Sequence, residues 1–155
     1  MPRASPKTGP RRSPLLYVEH HGESVAVVEQ LLAERKDLLL LCAADLNLAI
    51  KLARSKRPEV ILINIDVPGF DAGLDAHELM KLLRADAAMQ TAPILALSAN
   101  AAPAAIVKGL EAGFFHYLTK PIQARPLMEA LDYALEFAAL ERSERTGVPS
   151  PSKTT

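Results

Sequence analysis

Six polar residues stand where short apolar runs end: Glu19 and His20 after LLYV, Asn64 and Asp66 after VILI, Ser98 after ILAL, and Lys120 after HYLT. Glu19, His20, His21 and Asp66 together carry the nitrogen and oxygen donors of a soft-metal site. Adjacent histidines rarely both bind one ion within a domain, so solvent-facing loop histidines are the preferred reading. Asn64 and Asp66 lie two apart, and such positions share a face of a strand, so the Asp66 carboxylate is expected to border the same crevice as Asn64. The segment after the first run, Glu19-His20-His21-Gly22-Glu23, has no glycine-rich phosphate loop, and its acids would repel a phosphate. A nucleotide binder or a flavodoxin-like enzyme is therefore disfavoured. Cys42, the single cysteine, sits in an apolar run, which excludes a disulfide framework.

The elements that must position these residues follow from periodicity. Apolar runs at Leu15–Glu19, Leu38–Cys42, Glu59–Ile65, Pro93–Ser98 and Phe115–Thr119 read as strands. Between them, Ser24–Lys36 places Val25, Val28, Leu31 and Leu32 at helical spacing, and Asp75–Ala85 does the same with Leu79, Leu82 and Leu83. Asp45 can cap a helix through Leu48, Leu52 and Ala53 that stops before Pro58. Pro103 suits a first helical turn, and Gly113 the left-handed position after a helix. Ala124–Leu140 is the last and longest helix. Five strand–helix units with near-continuous apolar strands predict an α/β fold, a doubly wound five-stranded parallel sheet flanked by five helices. Ligands of such folds sit at the carboxyl ends of the strands, where the six polar residues lie.

At 155 residues, 49% hydrophobic and 23% charged, the chain has the length and composition of one globular domain. The net charge of zero hides an asymmetry. Residues 14–141 hold 11 basic and 17 acidic side chains, a net of −6, between basic ends at 1–13 and 142–155. Both ends are rich in proline, serine and threonine and are expected to be disordered. No basic nucleic-acid face, signal peptide or apolar stretch of membrane-spanning length is apparent, so a cytoplasmic protein is expected, with neither nucleic acid nor membrane as partner.

Across residues 14–140, the segments LLYVEH (15–20), PEVILINIDVPG (58–69), ILALSAN (94–100) and GFFHYLTKPI (113–122) resemble the receiver domain of two-component response regulators, and most of all the receivers of hybrid sensor kinases. The resemblance implies a flavodoxin-like fold with strand order 2-1-3-4-5. It also implies phosphoryl transfer from a kinase phosphohistidine to an aspartate, with Mg²⁺ held by an acidic pair. Ser98 matches the switch hydroxyl, Lys120 the phosphate-binding lysine, Tyr117 the aromatic that changes rotamer on activation, and Pro121 the proline after a cis peptide.

Three departures qualify that chemistry. Asn64 occupies the phosphoacceptor position, and a neutral amide is a poor nucleophile toward phosphorus. His20 takes the second place of the acidic pair, leaving Glu19 and, nearby, Asp66 as carboxylates for a weak or absent Mg²⁺ site. With a cation lost, Lys120 is expected to neutralise Glu19 directly. Asp66 could replace the lost charge or accept phosphate itself, but the strand end is expected to aim it outside the grip of Lys120 and Ser98. The third departure is a loop about four residues longer than the family pattern, through Phe70–Asp75. These changes together favour a naturally degenerate receiver over one whose aspartate at position 64 was replaced by engineering.

The expectation is a non-enzymatic signalling module, an atypical or pseudo-receiver acting through protein contacts without the ordinary phosphorylation. Its partners would be a sensor histidine kinase, a phosphotransfer protein, another signalling protein, or a second copy through helix 4, strand 5 and helix 5. The alternative is a genuine phosphoacceptor that uses Asp66. With about 15 residues after the last expected helix, a DNA-binding domain is not expected to follow it in this sequence.

Overall fold

The computed structural model describes residues 12–66 and 76–145. The expected terminal tails (apart from residues 12, 13 and 142–145) and the longer loop at Phe70–Asp75 lie outside the described residues. In chain order the elements are β1 (Ser13–Val18), α1 (Gly22–Leu31), β2 (Leu38–Ala43), α2 (Leu46–Lys56), β3 (Val60–Asn64), α3 (Ala76–Arg84), a 3₁₀ turn (Ala87–Met89), β4 (Ile94–Ser98), α4 (Pro103–Ala112), β5 (His116–Thr119) and α5 (Ala124–Arg145). The sheet is wholly parallel in the order β2-β1-β3-β4-β5, as expected.

Alternation along the strands sorts the core into two layers, because successive strand residues face opposite sides. Leu16, Val18, Ile61, Ile63, Ile94 and Ala96 pack on the side of α2 and α3. Leu15, Tyr17, Val60, Leu62, Leu95 and Leu97 pack on the side of α1 and α5. Each fully buried aliphatic side chain contributes about 1.5–3 kcal/mol relative to exposure, so the central strands form a stiff platform for whatever follows their ends.

The local signals act where they were expected. The Asp45 side chain accepts from Leu48 N at 2.8 Å and caps α2. Pro103 opens α4, and Gly113 follows it with φ 116° and ψ 2°, backbone that a side chain would strain. Two helices differ in length. The pattern through Lys36 stops as α-helix at Leu31, because Arg35 pairs with Asp37 at 2.9 Å and Asp132 at 3.0 Å and holds the segment in turns leading to β2. At the other end, α5 continues past Leu140 to Arg145, and Arg142 reaches Glu59 at 3.2 Å.

Register brings the strand ends level. Val18 pairs with both Ala43 and Ile63, Asn64 with Leu97, and Ser98 with Thr119. Glu19, Asn64, Ser98 and Lys120 therefore stand along one rim of the sheet.

Candidate functional site

Glu19 lies just beyond β1 and is 2% exposed, yet its oxygens are fully engaged. The Tyr17 hydroxyl donates to Oε1 at 3.0 Å and the His21 backbone N–H to Oε2 at 3.2 Å. The Asn64 amide nitrogen donates to both oxygens, at 2.7 and 2.9 Å. Asn64, itself 2% exposed, thus meets a buried carboxylate with N–H groups where a cation would otherwise be needed. Its amide oxygen accepts from Asp66 N at 3.0 Å. Burial and the neighbouring Glu19 push the Tyr17 phenol far above its ordinary range, so it remains a donor. Tyr17 had no place among the sequence-derived candidates. A tyrosine inside a buried strand needs a hydroxyl partner, and Glu19 two residues on is the nearest acceptor, so the signal was present. His20 Nδ1 lies 3.8 Å from Glu19 Oε2, too far for a hydrogen bond, and its side chain is exposed.

The other half of the rim corrects two expectations. Lys120 does not neutralise Glu19; its ammonium pairs with Asp66 Oδ2 at 3.1 Å. Asp66 does not point outside the grip of Lys120 and Ser98 but lies within it. The Ser98 hydroxyl donates to its Oδ1 at 2.8 Å, and Ala99 N to its Oδ2 at 2.7 Å. The reason is where β3 stops. Positions two apart share a face only while a strand continues, and β3 ends at Asn64, leaving Asp66 in a turn that swings it toward β4. Burial alone would raise the Asp66 carboxyl, but the Ala99 N–H, the Ser98 hydroxyl and Lys120 outweigh it and hold the group below the ordinary 3.8.

Lys120 is followed by a cis peptide to Pro121, and its own N–H donates to Ser98 O at 2.9 Å, fixing where the side chain starts. Tyr117 turns its ring onto α4, and its hydroxyl donates to Asn100 O at 2.9 Å.

This donor set does not fit Mg²⁺. Glu19 is surrounded by N–H and O–H groups, and Asp66 is turned to a lysine, so the two carboxylates do not converge on one point. Among the described residues no group of three or more His, Cys, Asp or Glu side chains is placed to hold a metal, the sequence-derived soft-metal set included.

Comparison with known proteins matches the family model of the response regulator receiver domain to residues 15–132. The chain is 29% identical over 139 residues to the transcriptional regulatory protein AfsQ1 of Streptomyces coelicolor, covering 90% of this chain and 56% of that protein. It is 32% identical over 114 residues to the transcriptional regulatory protein CseB of Streptomyces avermitilis, covering 74% and 45%. The chain therefore spans about half the length of these curated relatives. Among solved structures, the receiver domain of the sensor histidine kinase PA1611 from Pseudomonas aeruginosa, which holds a magnesium ion in its active-site cleft, aligns with a TM-score of 0.65 at 27% identity over 81% of this chain and 98% of that one.

Proposed function

This chain belongs to the response regulator receiver domain family, and from that premise we propose that it is a two-component signalling module that works through protein contacts without phosphorylation at position 64. The observation that carries the reading is the Asn64 amide, at the end of the central strand, spent on Glu19 and on the Asp66 backbone. Its oxygen is neutral, so the carboxylate attack that would form an acyl phosphate has no nucleophile there. Asp66 is a poor substitute. Its oxygens already occupy Ser98, Ala99 N and Lys120, the donors that would have to stabilise an incoming phosphoryl group. The partners that fit are those of the family, a sensor histidine kinase or another signalling protein. The surface offered to them is α4, β5 and α5, where Val107, Leu110, Tyr133, Phe137 and Leu140 are exposed. A second copy of the chain is one such occupant. No helix among the described residues is long and apolar enough to cross a membrane.

The test is intact mass after incubation with Mg²⁺ and a small-molecule phosphodonor. The parent is expected to stay unmodified, while Asn64→Asp combined with Asp66→Ala, which supplies the nucleophile and frees Ser98, Ala99 N and Lys120, gains a phosphoryl adduct. An adduct on the parent overturns the reading, and Asp66 is the first position to map.

A further inference from the structure

The Asp66 carboxylate is approached by three donors of different kinds: a hydroxyl at 2.8 Å, a backbone N–H at 2.7 Å and an ammonium at 3.1 Å. Such a set suits a tetrahedral oxyanion as well as it suits a carboxylate. The contacts do not stop there. While donating to Asp66, Ser98 Oγ accepts from Asn100 N at 3.0 Å. The Asn100 carbonyl accepts from the Tyr117 hydroxyl at 2.9 Å. The Tyr117 ring lies so close to Gly109 of α4 that a Cβ there would fall 2.8 Å from it. One unbroken series of contacts therefore runs from the end of β3 to the middle of α4.

We infer that Ser98, Ala99 N and Lys120 form an oxyanion pocket that the chain fills with its own Asp66 carboxylate, and that this internal ligand fixes Asn100, Tyr117 and α4 in one arrangement. The inference deepens the proposed function, resting on its reading of a module that needs no phosphoryl group. Remove the carboxylate, and the pocket is vacated for a free oxyanion while the path to α4 loses its anchor. Lys120 supplies the charge in either case, so any refilling anion must depend on it.

Amide NMR spectra of the full chain test this, with inorganic phosphate as the probe. In the parent, phosphate is expected to leave the Ala99, Asn100 and Lys120 signals in place. In Asp66→Ala those signals, with Tyr117 and Gly109, are expected to shift or broaden. Phosphate should then return them saturably toward the parent positions. Adding Lys120→Ala should abolish that return. Saturable phosphate shifts in the parent overturn the inference, because the pocket would then not be filled. A folded Asp66→Ala variant with unchanged Tyr117 and Gly109, or one indifferent to phosphate, overturns it equally. If Asp66→Ala does not fold, Asp66→Asn keeps the shape and removes the charge; a Tyr117–Gly109 spectrum superimposable on the parent is then the overturning result, and displaced signals support it. The mass measurement judges the proposed function separately: an adduct on the parent defeats that reading, while the phosphate titration alone decides whether Asp66 fills the pocket.

Discussion

A carboxylate gripped by a hydroxyl, an N–H and an ammonium loses its proton more readily than one in open chain, and this has a measurable sign. Asp66 ionises below 3.8 in the folded chain and near that value when unfolded. A depressed folded value contributes stability that is fully present above the unfolded value and is lost as pH falls through the folded one. The gap in melting temperature between the parent and Asp66→Asn is therefore expected to be steady near neutral pH and to close below 3.8. A gap that persists undiminished in acid would show that the charge on Asp66 is not what Lys120 and Ser98 hold. The side chain is about one-third exposed, so solvent screens part of the ion pair and the hydrogen bonds from Ser98 and Ala99 carry much of the effect.

Helix α4 carries a glycine in its interior, at a cost of about 1 kcal/mol relative to alanine. Gly109 is kept from that gain by the Tyr117 ring. Gly109→Ala sets the propensity gain against an overpacking cost of about 1–3 kcal/mol. The expected outcome is a loss of up to about 2 kcal/mol with the ring displaced and its bond to Asn100 broken. Thermal melts and the near-ultraviolet circular dichroism of the tyrosines check this; a stabilised variant with unchanged tyrosine signals would deny the close approach. The elements themselves were legible in the sequence because their signals are local. Asp45 needs only the N–H three residues on, Pro103 only its own ring, and Gly113 only its own backbone. The end of α1 was not legible, since Arg35 finds Asp132 on α5, nearly a hundred residues later. Asp66 was misread for a related reason: where a strand stops is decided by its neighbours, and one residue of error turns a side chain to another face.

For the molecule as a whole, the strand-end rule located the rim, and Glu19, Asn64, Ser98 and Lys120 do line it. What the rule could not supply was the pairing, because a lysine can reach either of two carboxylates and only the assembled sheet decides between them. Metal dependence follows from that pairing. The parent's melting temperature is expected to be the same in chelator and in Mg²⁺. In Asn64→Asp the substitution removes the two amide N–H bonds to buried Glu19 and, in chelator, leaves two carboxylates face to face, a loss of about 2–3 kcal/mol, which Mg²⁺ should largely restore. Equal melting of parent and variant in chelator would mean that the amide is not what balances Glu19. There is also a consequence in time. An acyl phosphate hydrolyses, so a module switched by one carries its own clock. A carboxylate built into the chain has no lifetime: on the proposed reading, an arrangement held by Asp66 does not decay, and would be ended only by removing the protein or outcompeting its partner.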